Sequence, residues 1–390
     1  MLVVGAGPAG STAALKLAKL GIRTVVIESK DKIGKSKQLR VDITESSDIE
    51  KIVNELKLNF IAKSNRSIWF SGSDCFELKS RIYDFYFKRG PSEDSLEVSN
   101  MNKAMDDGVE VYTGTIPKFI MRRGVITEVL VKRTIIKPEI IIGADGVNSS
   151  VLNLLDIRED IKFVPGYGET FKNLKCEDLT SYIFFDLKLF REGYFYGARV
   201  NSDLGILGGG GISINPAMAF KKFIRDNHKI KEMVCGASKI NSWRGAGYVS
   251  NLKRHVYDNV LLVGDAGRLA DPFLLYGIRP SIISGYYGAI SIKQFLSGTE
   301  NLQVYERYIQ DALLRDYNVA RKLRSIIYRL DSDELNTIIK ISREFLESGG
   351  DIENLENIFK NIGPISNIFV KNFIPTAKLF LKILPYIILN

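Results

Sequence analysis

Histidine and cysteine are nearly absent, with two His and three Cys in 390 residues. Cys75, Cys176 and Cys235 stand far apart and form no Cys-x-x-Cys pair. Neither a metal site nor a disulfide framework is therefore expected, and the usage fits a reducing interior. No leader segment is expected either. An apolar strand opens at Leu2, and so short a lead-in is also what a start truncated by a few residues would give. The final stretch lacks acids, with none after Glu356, while Lys360, Lys371, Lys378 and Lys382 run through Ile, Phe and Leu. Pro364, Pro375 and Pro385 interrupt it too often for a bilayer span. It suits a helix lying among lipid headgroups, or one docked across the mouth of an apolar tunnel.

What remains is ordinary globular material, 45% hydrophobic and 25% charged, long enough for two or three domains. The net charge of +9 reads as a solvated basic surface or as attraction to anionic lipid or a polyanionic substrate. No nucleic-acid partner is expected.

The most informative segment is Leu2-Val3-Val4-Gly5-Ala6-Gly7-Pro8-Ala9-Gly10, an apolar run feeding into G-x-G-x-x-G. Ser11-Thr12-Ala13-Ala14-Leu15 continues at helical spacing, so the pattern is strand, tight turn, helix. Gly5 permits the turn, Gly7 lets backbone approach a diphosphate across Ala9, and Gly10 lets helix pack on strand. A second buried strand, Thr24-Val25-Val26-Ile27, ends in Glu28, where a carboxylate would hold ribose hydroxyls. Two further apolar strands close in Gly143-Ala144-Asp145-Gly146 and Gly264-Asp265-Ala266. Pro272 and Gly277 then lead into a helical pattern.

These co-ordered motifs resemble the two-dinucleotide-binding-domain flavoproteins and, within them, the geranylgeranyl reductases, over roughly residues 1 to 298. The resemblance implies FAD as cofactor. Asp265 would bind the ribityl chain, and Gly277 and Ile278 would present N–H groups to the flavin. It implies an α/β fold: a Rossmann-like FAD-binding domain (1–65, 88–160 and 245–298), a mainly antiparallel substrate domain (66–87 and 161–244), and a helical C-terminal region (299–390). The aromatic runs of 67–87 are expected as antiparallel strands roofing the flavin. Gly124 to Ile136 reads as a hairpin, 218–234 as a helix, and 305–330 as another.

The family pattern is altered in several places. Gln38 stands where the reductases carry a cysteine beside the flavin, which removes a thiol from that position. Arg89, with Glu93 and Leu96, resembles a flavoprotein Arg-x-x-Phe-Asp-x-x-Leu motif; it lies near the cofactor or pairs with Glu93 at a helix start. The strand after Tyr112 would carry Ile116 past the adenine. Arg279 stands in a stretch of small residues, facing flavin, a phosphate or a salt bridge. The family's Tyr-x-Trp-x-Phe-Pro box corresponds to Tyr194-Phe195-Tyr196-Gly197-Ala198-Arg199, which keeps only Tyr194. Core packing is the plain alternative for both tyrosines.

The reading that follows is an FAD-dependent oxidoreductase reducing C=C bonds of a polyprenyl chain on a phosphate or phospholipid, in isoprenoid or membrane-lipid biosynthesis. Tyr194 or Tyr196 would be the proton donor. No second glycine-rich strand-turn-helix is visible, so the electron donor is NADPH bound transiently or a small redox protein. The protein is expected in the cytoplasm, peripherally at a membrane. The alternatives are an FAD monooxygenase or halogenase, and a non-catalytic lipid-binding flavoprotein. The hydroxylase segment His-Pro-x-x-Gly-x-Gly survives here only as Pro272 and Gly277.

Overall fold

The computed structural model describes residues 1–35, 40–45, 47–157, 159, 161–250 and 252–347. Gln38 and the basic C-terminal stretch lie outside the described residues. The chain forms two compact units. The first comprises Met1–Lys63, Asp84–Phe163 and Asn241–Val319; the second comprises Ser64–Tyr83, Val164–Ile240 and the described residues from Ala320.

The first unit is built on a six-stranded sheet in the order Val256–Tyr257, Val260–Leu262, Ile141–Gly143, Leu2–Val4, Val25–Ile27, Glu110–Tyr112. Every pairing but the first is parallel. The central strands Leu2–Val4, Ile141–Gly143 and Val260–Leu262 are short runs buried throughout, the pattern of a parallel sheet covered on both faces, while the edge strand Glu110–Tyr112 is partly exposed. Helix Pro8–Lys19 covers one face and packs on helix Ile278–Leu296. Gly285 makes that approach possible, since a Cβ there would lie 2.4 Å from the Ala9 carbonyl oxygen. The hairpin expected over 124–136 has a third strand, giving a sheet of Lys118–Arg122, Val125–Val131 and Thr134–Ile136.

The helix expected from Tyr305 to Leu330 is interrupted. Helix Val304–Ile309 runs through a π turn, Gln310–Leu314, into helix Arg315–Ile327. The buried positions Tyr305, Ile309, Leu313 and Tyr317 recur every four residues. A regular helix would turn them about 40° off the face at each step, and the wider π turn takes up that drift. The tyrosines thereby dock on the sheet end and the turn after it, Tyr305 Oη donating to the Leu262 carbonyl (3.0 Å) and Tyr317 Oη to that of Leu269 (2.6 Å). This docking places residues up to Val319 with the first unit.

The second unit is built on strands of an eight-stranded mixed sheet, in the order Lys162–Lys172, Leu204–Gly210, Tyr194–Asn201, Thr180–Phe185, Ala62–Ser71, Asp74–Arg89, with Ser238–Val249 and Arg40–Glu45 at its two edges. It is mainly antiparallel. The aromatic strand Ala62–Ser71, expected to be antiparallel throughout, pairs in parallel with Thr180–Phe185. The helix expected over 218–234 is two helices, Pro216–Asp226 and His228–Val234. Asn227 divides them, its Oδ1 accepting from Ile230 N at 3.0 Å to start the second. One sheet face packs on these helices through Phe184, Phe195, Phe220 and Phe223, with the Phe195 and Phe223 ring centres 4.6 Å apart.

Candidate cofactor and substrate sites

In the first unit the glycine turn closes as its sequence requires. Gly5 has φ +104°, and a Cβ there would lie 2.4 Å from the Ala144 carbonyl oxygen. A Cβ at Gly10 would sit 1.9 Å from the Gly5 carbonyl oxygen, so only glycine allows this helix to start so close to the strand. At Gly7 an added Cβ meets nothing within 4 Å. That open space lies at the N-terminus of a helix whose cap residue, Gly7, uses no side chain and whose first residue, Pro8, lacks an N–H. Partial positive charge and free amide donors there suit a diphosphate.

Glu28 reaches back over the turn. Its Oε2 accepts from Ala6 N at 3.0 Å and its Oε1 from Lys30 N at 2.9 Å, which fixes the carboxylate at the strand end. Thr115 N donates to the Glu28 carbonyl (3.1 Å) and Gly114 N to that of Lys30 (2.7 Å), tying the next loop to the same corner. Ile116 on that loop is 75% exposed, an apolar surface at the corner that holds Glu28.

Asp265 lies in a short 3₁₀ turn, Gly264–Gly267. Its Oδ1 accepts from the buried Tyr248 hydroxyl at 3.2 Å. Burial, and then the Asp265 charge, push the Tyr248 phenol well above its usual range, so it remains a donor. A Cβ at Gly277 would lie 3.4 Å from Asp265 Oδ1, which brings Asp265 to the start of helix Ile278–Leu296, itself without a side-chain cap. The two clusters meet at Ala9, because a Cβ at Gly264 would lie 2.8 Å from the Ala9 Cβ. Gly5, Gly7, Ala9, Gly10, Glu28 and Ile116 thus join Asp265, Gly277 and Ile278 in one unit. Donors at two helix starts, two carboxylates and an exposed apolar rim fit FAD.

Other residues have structural partners. Arg89 makes no helix-start pair with Glu93. It is 3% exposed, and it pairs through Nη1 with Asp42 (2.6 Å) and through Nε with Glu97 (2.9 Å), because Glu97 is the acid turned into the core. Arg279 pairs with Asp316 at 3.4 Å and donates to the Ala312 carbonyl. Asp145 accepts from Ser149 Oγ, Ser150 N and Val151 N, which caps helix Ser150–Leu154. Tyr248 is the residue that motif reading missed; the run Trp243-Arg244-Gly245-Ala246-Gly247 marks the chain's return but carries no sign of the tyrosine's role.

Tyr194 and Tyr196 lie in the second unit on the sheet face turned away from the helices. Alternation along the strand and the registers Ala198↔Ser181, Tyr196↔Ile183 and Ile183↔Trp69 put Tyr194, Tyr196, Ala198, Ile183, Phe185 and Trp69 on this face. The two tyrosine rings are 5.9 Å apart, and Tyr194 is 6.3 Å from the Phe185 ring. The side chains on this face are mainly apolar and aromatic, and Ala198, where the reductase box has phenylalanine, is the small one among them. Among the described residues no group of three His, Cys, Asp or Glu could hold a metal, and the three cysteines are free. No helix among them is long and apolar enough to cross a membrane.

A parallel nucleotide-binding sheet interrupted by a second unit with a mainly antiparallel sheet, with FAD-fitting motifs in order, defines an FAD-dependent oxidoreductase. The pyridine nucleotide-disulphide oxidoreductase family model matches residues 1–234. The chain belongs to that family. It is 25% identical over 366 residues to a digeranylgeranylglycerophospholipid reductase of Methanopyrus kandleri, covering 87% of this chain and 89% of the relative. Its fold matches a geranylgeranyl bacteriochlorophyll reductase-like protein of Thermoplasma acidophilum with a TM-score of 0.78 at 20% identity, over 95% and 97% of the two chains. A flavin-dependent brominase shares the fold at a TM-score of 0.67 and 15% identity, over 93% and 92%. The resemblance read from the motifs to the geranylgeranyl reductases therefore extends across most of the chain.

Proposed function

We propose that the protein reduces C=C bonds of a geranylgeranyl chain carried on a phospholipid. The observation that carries this is the second unit's apolar, aromatic sheet face bearing two tyrosine hydroxyls. An isoprenoid tail offers no charge to grip, so its site has to be an apolar surface, with polar atoms only where chemistry is done. The digeranylgeranylglycerophospholipid reductases give the substrate class.

FAD, when bound in its reduced form, supplies the hydride. This chain then has to hold the alkene, exclude water and deliver one proton to the other alkene carbon, so that each reduced bond gains two hydrogens. Trp69, Ile183 and Phe185 line the floor, and Tyr194 or Tyr196 donates from Oη. An ordinary tyrosine, with a pKa of about 10, is a weak acid at neutral pH. Two phenols side by side form the start of a relay that returns the proton from solvent. Electrons come from NADPH or a small redox protein. The basic C-terminal stretch and the net positive charge favour peripheral contact with a membrane, where the substrate resides.

Tyr194→Phe and Tyr196→Phe test the donor. In anaerobic single turnovers, one variant slows alkene reduction by about 10²–10³-fold while retaining flavin and substrate binding. Equal rates for both variants and the wild type would remove the tyrosines from the proton path.

A further inference from the structure

The Ser47–Leu56 helix ends in an unusual surface. Lys57 takes the left-handed conformation, φ 52°, that glycine or asparagine normally supplies at a helix end. Leu58 N bonds to the Val53 carbonyl at 2.9 Å, and its side chain enters the core. Ile61 N bonds to the Tyr86 carbonyl at 2.7 Å. Pinned at both ends, the turn pushes Phe60 and Ile61 outward, each 39% exposed. Lys103 holds the turn from the neighbouring helix, donating to the Lys57 carbonyl and, at 3.1 Å, to Asn59 Oδ1.

Lysines gather around this apolar tip, with one carboxylate, Glu50, paired to Lys63 beside it, and among the described residues no ion pair joins Lys19, Lys57 or Lys103 to a carboxylate. Burial, and then the Lys19 and Lys57 charges, hold the Lys103 ammonium below its ordinary range, so the three lysines feel one another. Clustered like charges beside exposed aromatic and aliphatic side chains are poorly placed in water. An anionic lipid surface satisfies both features, neutralising the lysines at the headgroups while Phe60 and Ile61 enter the acyl boundary.

We propose that the Lys57–Lys63 turn, with Lys19 and Lys103, is where this protein docks on an anionic bilayer. The docking rests on the reading of a lipid substrate only for its purpose; the surface stands on its own geometry. The test is co-sedimentation of the full-length FAD-loaded protein with vesicles of phosphatidylglycerol and phosphatidylcholine, and of phosphatidylcholine alone. Wild type binds the anionic vesicles, more weakly as salt rises. The triple variant Lys19→Gln, Lys57→Asn, Lys103→Gln loses roughly a hundredfold, from about fivefold per lysine. An all-arginine triple keeps the binding, which separates charge from any structural role of Lys103. Phe60→Ser with Ile61→Ser removes the fraction that survives high salt. A control triple at exposed lysines elsewhere in the unit, Lys118, Lys132 and Lys253 each to Gln, changes binding less than threefold. Equal losses in the two neutral triples, or no loss in the first, would overturn the assignment. Turnover of detergent-dispersed lipid is measured separately; a wild type that binds vesicles as expected without turnover refutes the substrate and leaves the docking surface in place.

Discussion

Arg89→Met unfolds the first unit about 10 °C below the wild type. The guanidinium is almost fully buried between Asp42 and Glu97, and Glu97 is only 1% exposed. Burial alone would lower the arginine's proton affinity, but the two carboxylates outweigh it and keep the charge fixed. Asp42 keeps a second cation, Arg40, at 2.7 Å, whereas Glu97 would be left as a buried charge. Breaking such a pair from one side costs about 3–5 kcal/mol, and each kcal/mol moves the melting temperature by roughly 2–4 °C in a unit of this size. The double variant Arg89→Met with Glu97→Leu removes both charges and recovers most of the loss. Thermal unfolding by circular dichroism compares the three proteins. A single variant that melts within 2 °C of the wild type would show that Glu97 is relieved by water or another donor.

Gly10→Ala and Gly7→Ala lose flavin for different reasons. At Gly10 the new methyl group would meet the Gly5 carbonyl oxygen at 1.9 Å, so the helix has to move away from the strand by about 1 Å or more. The glycine turn then opens, and the protein is expected to purify without FAD and with lowered stability. At Gly7 the methyl group meets no protein atom within 4 Å, and φ of −72° is ordinary for alanine. Gly7→Ala should therefore melt like the wild-type apoprotein and yet bind FAD at least a hundredfold more weakly, because the methyl group occupies the space through which the backbone approaches the diphosphate. Flavin fluorescence titration together with apoprotein melting separates the two. Normal FAD affinity in Gly7→Ala would mean that the open space is not the cradle.

The parts of this molecule legible in the sequence are those whose chemistry is local. A glycine turn, a strand-end acid and a Gly-Asp turn each state their backbone geometry within a few residues, and the nucleotide fold follows from their order. What was illegible depends on distant partners. Glu93 and Glu97 are equally plausible partners for Arg89 in one dimension, and only the packing of helix Leu96–Asp106 turns Glu97 inward. Tyr248 supports Asp265 from 17 positions away. The π turn at Gln310–Leu314 has no compositional mark, since it resolves a mismatch between helix period and the tyrosine docking sites at Leu262 and Leu269. The parallel pairing of Ala62–Ser71 was hidden because alternation specifies a strand's faces and leaves its direction open.

Reduced flavin on this protein should pass its electrons to a geranylgeranyl double bond. The most direct measurement is anaerobic: reduce the bound flavin with dithionite, add a geranylgeranylated phospholipid, and follow the visible spectrum while weighing the lipid. The oxidised flavin spectrum should return and the lipid should gain mass in steps of two hydrogens. A flavin that stays reduced until air is admitted, with the lipid mass unchanged, would contradict it.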